Sequence, residues 1–155
     1  GLENCRQLTA LTLIGGHIRS ISNMHCVSHT LERLCLCDQQ LVRMENLDLP
    51  VLRELLLQQN AITRIEGLDN CPRLQRLWLW SNKITKIEGL SNCGEIRELW
   101  LQSNKISKIS GLGALVHLQS LGLANNRIGD FKELQRLSSL PSLIEVSFSD
   151  VHFGA

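Results

Sequence analysis

Residues whose types could ligate a metal ion are scattered along the sequence. Two cysteines flank one leucine at Cys35 and Cys37, and two histidines lie four residues apart at His25 and His29. A structural zinc site needs four such ligands that converge on one point. We predict that the cysteines project from one face of a strand and the histidines lie on the opposite, returning part of the chain. We therefore expect no metal site and no cofactor.

Catalytic motifs are not recognisable in the sequence. It contains no Ser-His-Asp order, no glycine-rich phosphate loop and no paired carboxylates in a known motif. In the arrangement predicted below, Glu54 and Glu98 are separated by the basic side chain of Arg76. This pattern favours charge balance over acid–base catalysis, and we expect no enzymatic activity.

Three tryptophans are the most unusual residues of a chain that has no tyrosine. Trp78 and Trp80 alternate with Leu77 and Leu79, and Trp100 stands in the position equivalent to Trp78 one repeat later. Strict alternation predicts a strand with the leucines on its buried face. The tryptophans then project from the other face, where contiguous aromatic residues typically mark a binding site.

A repeated unit positions these residues. The unit reads L-x-x-L-x-L-x-x-N-x-I-x-x-I-x-G-L, and we predict that its L-x-L segments form short strands that stack into a parallel sheet. We expect the Asn side chain to bond backbone groups where the chain leaves the sheet, and the Gly to have a positive φ or a close backbone neighbour. The I-x-x-I pair returns over the core with helix-like spacing. The first leucine-type residue of each unit recurs every 21 to 25 residues, at Leu8, Leu31, Leu52, Leu74, Ile96, Leu118 and Leu143.

The asparagine position predicts a ladder of side-chain hydrogen bonds along the stack. It holds Asn in four units, but Gly16 in the first and Gln39 in the second, where we expect a weaker ladder. A second position of the repeat holds Cys in some units and Leu in others, so it is typical of a buried apolar site. We therefore predict buried, reduced thiols at Cys5, Cys71 and Cys93, and an intracellular compartment.

Stacking at about 4.8 Å per strand brings equivalent residues into columns. One column is apolar, and a neighbouring column alternates in charge. We predict that both columns lie exposed on the sheet and bind a partner. The apolar column comprises Cys35, Leu56, Trp78 and Trp100 with Trp80 beside it, and the charged column comprises Arg33, Glu54, Arg76 and Glu98.

The pattern resembles the leucine-rich-repeat family, in the 22-residue class that includes a regulatory subunit of protein phosphatase 1, the spliceosomal A-prime protein and axonemal proteins. The resemblance implies an α/β solenoid of about seven repeats, right-handed and curved. It has a concave parallel sheet, short helices or 3-10 turns on the convex side, a protein partner on the concave face and no catalysis. We expect one domain over residues 1–155, cut from a longer array, with residues 1–7 ending a preceding repeat. Residues 131–155 form an irregular last repeat that begins with a helix of about three turns, from Phe131 to Leu140.

The balance of 16 basic and 15 acidic residues gives no general attraction to nucleic acid or acidic membranes. No apolar run approaches the length of a membrane span, and no secretory signal is visible at the start.

We expect an intracellular, monomeric scaffold for protein–protein interaction, in the cytoplasm, the cilium or the nucleus. Its partner would be cytoskeletal, axonemal or a phosphatase. The alternatives are a regulatory subunit of an enzyme such as a phosphatase and an RNA-associated adaptor. The tryptophans could also pack only on one another, or be covered by another segment of the same protein.

Overall fold

Seven short strands form one parallel sheet in sequence order, in a computed structural model that describes residues 1–148. This confirms the predicted solenoid of about seven repeats, although the end of the predicted last repeat, residues 149–155, lies outside the described residues. The strands are β1 (Ala10–Ile14), β2 (Arg33–Cys37), β3 (Glu54–Leu56), β4 (Arg76–Trp78), β5 (Glu98–Trp100), β6 (Ser120–Gly122) and β7 (Glu145–Ser147).

The leucines of the repeat form the core between the sheet and the returning segments. Leu55 pairs with Leu77 and Leu77 with Leu99 in adjacent strands, and all three side chains are fully buried. Alternation along each strand sends these leucines inward, so the residues between them must lie on the opposite face. The core therefore fixes which side chains reach the concave surface.

The asparagine ladder is confirmed. Nδ2 of Asn82 donates to the carbonyls of Leu57 and Leu79, both at 3.0 Å, and its Oδ1 accepts from the backbone N–H of Ile62 at 3.0 Å. In the second repeat Gln39 serves the same purpose with bonds of 3.1 to 3.4 Å. Gly16 leaves the space that the longer Gln39 side chain occupies.

The return segments bury their isoleucines without forming helices, so the helix-like spacing was misleading. Ile62 and Ile65 are almost fully buried, but the chain between them has no regular structure. The repeat glycine follows as expected. Gly67 has a φ of +74°, and a Cβ at this position would lie 2.7 Å from the carbonyl oxygen of Met44 in the preceding repeat. Only glycine combines this backbone conformation with so close an approach.

Two 3-10 helices cover residues Met24–Val27 and Phe131–Ser139. The second confirms the helix predicted near the C-terminus and shows its type. Its apolar residues recur every three positions, the repeat of a 3-10 helix, and they end at the buried Leu140. The carboxylate of Asp130 caps it by accepting from the N–H of Lys132 at 2.8 Å. Within residues 1–148, no helix is long and apolar enough to cross a membrane.

The cysteine position is buried in two of its three copies. Cys71 and Cys93 are completely buried, and burial raises the pKa of each thiol to about 11. The prediction is wrong for Cys5, which is exposed because the described chain has no coil stacked on its outer side. Leu13 of β1 is 41% exposed for the same reason, although the repeat pattern assigns it to the core.

Candidate partner-binding site

The predicted columns are present on the concave face. Strand pairing sets Cys35 opposite Leu56, Leu56 opposite Trp78 and Trp78 opposite Trp100. The same pairing aligns the charged column from Arg33 to Glu98. The sequence periodicity therefore located both columns correctly.

Two members of the apolar column are not accessible, which corrects the expectation that the whole column is exposed. Cys35 and Leu56 are each only 4% exposed, and they form a small cluster with Cys37 against which Trp78 packs. The large indole of Trp78 packs on Cys35 and Leu56, so these two side chains lie beneath the surface and do not form part of it. Trp78 itself is half-buried.

All three tryptophans line one pocket of about 440 Å³. Trp80 and Trp100 are half-buried, so each also presents ring surface to solvent. The backbone bonds from Gln59 N–H to the Trp80 carbonyl and from Ser81 N–H to the Gln102 carbonyl extend the strand register through this region, at 3.0 and 2.8 Å. The remaining lining residues are Glu98 and Gln102.

Gly122 leaves room for the ring of Trp100. It is the residue paired with Trp100 on β6, and a Cβ at this position would collide with the indole of Trp100 and the amide of Gln102. At its other end the Trp100 ring donates its Nε1–H to Oε2 of Glu98, at 3.4 Å. Neither Gly122 nor Gln102 was predicted to belong to the site. A glycine inside a strand, which commonly marks a close approach, was the signal for the first.

The charged column is a continuous chain of ion pairs. Arg33 lies 3.4 Å from Glu54, and Arg76 bridges Glu54 and Glu98 with contacts of 2.5 and 3.0 Å. The carboxylate of Glu98, followed by that of Glu54, raises the pKa of Arg76. Because both arginines are about half exposed and the glutamates are partly exposed, the pairs contribute little to stability. They do hold the charged groups in a defined order beside the tryptophans.

Buried polar atoms without a hydrogen-bond partner cluster on this face. Within residues 1–148 there are four such side-chain atoms, and every one belongs to an outward-facing strand position or its continuation. An unsatisfied buried polar atom costs free energy, so the packing of this face carries a local cost. The four atoms are Oε1 of Gln58, Nε1 of Trp78, Oε1 of Gln102 and Oγ of Ser147.

Within residues 1–148, the cysteines and histidines do not converge on a metal site. No group of three or more potential ligands lies together in the described part of the chain, and all six cysteines there are unpaired. Burial, followed by a hydrogen bond with Cys35, raises the pKa of Cys37 to about 12. This thiol therefore remains protonated near neutral pH and is a poor nucleophile.

Stacked parallel strands, buried leucines and an asparagine ladder define a solenoid of leucine-rich repeats. The profile described as "Leucine Rich repeats (2 copies)" matches residues 50–92 and 95–136. The chain belongs to the leucine-rich-repeat family.

Solved structures of other proteins are similar to a longer part of the chain than the profile matches. Internalin C2 of Listeria monocytogenes is 28% identical with a TM-score of 0.82, over 96% of this chain and 64% of the internalin. An internalin F from the same organism is 25% identical, with a TM-score of 0.68 over 92% of this chain and 48% of its own. A leucine-rich-repeat protein of Leptospira interrogans is also 25% identical, with a TM-score of 0.80. The match covers 92% of this chain and 38% of the Leptospira protein. The chain thus spans less than two thirds of each. A comparison with curated proteins found no match.

Proposed function

We propose that this protein is an interaction module that binds an extended segment of a partner protein across its concave face. The observation that carries the proposal is the convergence of all three tryptophans on one pocket in the middle of the sheet. Leucine-rich repeats commonly mediate protein–protein interaction, and tryptophan and arginine dominate the energetics of such interfaces.

The residues of the site have different tasks in this proposal. Trp80 and Trp100 supply the apolar contact, while Trp78 forms the floor and rests on the buried Cys35 and Leu56. The charged column then sets the register and orientation of the bound segment, since charged groups at an interface contribute more to specificity than to affinity. Its members are Arg33, Glu54, Arg76 and Glu98.

An extended segment suits this surface because the apolar and charged columns run side by side across successive strands. The backbone of the sheet is already paired between neighbouring strands, so the partner contacts side chains and does not add a strand.

The proposal includes the setting expected from the sequence, which is an intracellular, monomeric scaffold of the 22-residue class in the cytoplasm or the cilium. Over Phe131 to Leu143 the sequence resembles leucine-rich repeat-containing protein 9. A cytoskeletal or axonemal partner suits this setting, and a phosphatase would bind through the same face. An RNA-associated adaptor receives less support, because the ion pairs of the charged column neutralise one another.

Selection from a displayed library of random dodecapeptides tests the proposal and does not require that the partner be identified. We expect selected peptides to bind the purified chain and to bind a Trp80→Ala, Trp100→Ala variant at least about tenfold more weakly. Val116→Ala is the matched control, because Val116 is 47% exposed and lies away from the pocket. Peptides that bind the tryptophan variant as well as the parent protein would contradict the proposal.

A further inference from the structure

The alternation of charge along the concave face breaks at one position. The column runs from Arg33 through Glu54 and Arg76 to Glu98, so the next strand would be expected to carry a cation. That position is Ser120, and the strand after it carries a second acid, Glu145. Two carboxylates therefore flank a neutral position.

Glu145 has no ion-pair partner within residues 1–148, and Glu98 is only partly neutralised. The Oε1 atom of Glu98 accepts from Arg76 at 3.0 Å, but Arg76 is shared with Glu54. Among the described residues, the Oε2 atom of Glu98 accepts only the long bond from Trp100. The region above Ser120 is consequently the most acidic part of the column.

The dimensions suit a single cationic group. Strands of one sheet lie about 4.8 Å apart, so positions two strands apart are separated by about 10 Å. A cation above Ser120 would lie about 5 Å from the column positions of Glu98 and Glu145, within reach of both flexible carboxylates. The aligned pairing of β5, β6 and β7 holds the three positions in one row.

Trp100 adds an aromatic surface to this acidic gap. Its ring lies over Gly122 of β6, two residues beyond Ser120, and donates to Glu98. The faces of indole rings attract cations through their quadrupole, and tryptophan does so most strongly of the aromatic residues. The long stem of a basic side chain also packs well on tryptophan.

We infer that the bound segment inserts a lysine or arginine side chain above Ser120, between Glu98 and Glu145 and against Trp100. The partner's cation completes the alternating column that this chain leaves interrupted. This inference rests on the proposed function, because it names the chemistry that the concave face recognises.

A pair of short peptides tests the charge requirement. The probe is acetyl-Gly-Gly-Arg-Gly-Gly-amide, and its control replaces arginine with citrulline, which has nearly the same shape and no charge. The chain contains three tryptophans, all in this pocket, so the three indole N–H signals in a proton–nitrogen NMR spectrum report binding there directly. We expect the arginine peptide to shift the Trp100 signal and to bind roughly 5- to 30-fold more tightly than the citrulline peptide. Equal binding of both peptides, or unchanged indole signals with both, would overturn the inference.

Variants of the two acids test the position of the cation. Glu145→Gln and Glu98→Gln should each weaken binding of the arginine peptide several-fold, and Glu145→Gln disturbs no ion pair among residues 1–148. Glu95→Gln is the control, since Glu95 is exposed and outside the column. Ser120→Lys should place its own ammonium group between Glu98 and Glu145 and so exclude the cation of the peptide. It should reduce peptide binding more than Ser120→Met, which adds similar bulk without charge. A larger loss with Ser120→Met, or full binding by Glu145→Gln, would contradict the predicted location.

The peptide library separates the failure of this inference from failure of the proposed function. Tryptophan-dependent peptides without any basic residue would overturn the cation site and leave the interaction module intact. Peptides enriched in arginine or lysine, whose binding weakens in Glu145→Gln, would support both.

Discussion

The indole of Trp100 lies over Gly122, the residue with which it is paired across adjacent strands. A methyl group at Gly122 would overlap both this ring and the amide of Gln102. A glycine thus holds the shape of the pocket although it has no side chain to contact a ligand.

Replacing Gly122 tests whether the pocket depends on this glycine. Gly122→Ala should displace Trp100, change its indole N–H signal and cost about 1–3 kcal/mol of unfolding free energy through overpacking. Gly113→Ala is the matched control, since a Cβ there meets nothing within 4 Å. Urea denaturation and the indole NMR spectrum measure the two effects. An unchanged Trp100 signal in the Gly122 variant would show that the ring does not depend on this glycine.

Trp78 and Trp80 should differ in their contribution to stability, although both line the pocket. Trp78 packs on the buried cluster of Cys35, Cys37 and Leu56, so Trp78→Ala exposes that cluster and should lower the unfolding free energy by about 2–4 kcal/mol. Trp80→Ala removes a ring outside the cluster and should cost less than about half as much. Chemical denaturation followed by far-UV circular dichroism compares the two variants. Equal losses would mean that the two rings pack equally in the fold.

The asparagine ladder predicts a large effect from one polar side chain. Asn82→Ala removes four hydrogen bonds and leaves the N–H of Ile62 without its partner inside the core, while the carbonyls of Leu57 and Leu79 keep their bonds from Asn60 and Asn104. We expect a loss of about 1–3 kcal/mol, because the buried N–H of Ile62 then carries the full cost of desolvation. Gln39→Ala should cost less, since the bonds of Gln39 are longer. Guanidinium denaturation of both variants measures the difference, and an Asn82 variant as stable as the parent would contradict the ladder's role.

The buried thiols predict a loss of stability at alkaline pH. Burial raises the pKa of Cys71 and Cys93 to about 11, whereas an unfolded cysteine titrates near 8.5. Between these values the unfolded chain releases protons that the folded chain retains, so the unfolding free energy falls as pH rises from about 9 to about 11. The loss should reach up to about 1.4 kcal/mol per pH unit for each thiol.

A Cys71→Ala, Cys93→Ala variant provides the reference for that measurement. It retains the other groups that titrate in this range, so the difference between its pH profile and that of the parent isolates the two thiols. Urea denaturation at pH 8, 9, 10 and 11 should show a flatter profile for the variant. Parallel profiles would indicate that both thiols ionise as readily in the folded protein as in the unfolded chain.

The repeat period determined most of the fold. Leu77 and Leu79 alternate in phase with their equivalents in other repeats, so their burial, the strand order and the column containing Trp78 all followed from one pattern. The asparagine and glycine positions were equally predictable. In the coils that carry them, the asparagine bonds backbone groups at the turn, and the glycine adopts a positive φ close to the preceding coil. Local irregularities were less predictable. Cys5 and Leu13 fit the pattern but lack a covering coil, and pattern alone does not reveal exposure.

The surface of the site was predicted less well than its position. Alternation assigns Cys35 and Leu56 to the outward face, but it does not show that Trp78 packs against them. The arrangement of Trp100 above Gly122 depends on side-chain conformation in three dimensions, which periodicity does not contain. The polar atoms without partners at Gln58 and Gln102 likewise emerge only when every neighbour is positioned.

The charged column also restricts how an array of this kind can change in length. Deleting the single repeat that carries Arg76 would bring Glu54 directly beside Glu98, and like charges on adjacent strands repel. Deleting two consecutive repeats, those of Glu54 and Arg76, would instead leave Arg33 beside Glu98 and preserve the attraction. In the segment from Arg33 to Glu98, the unit that can be gained or lost during evolution without an electrostatic conflict is therefore a pair of repeats.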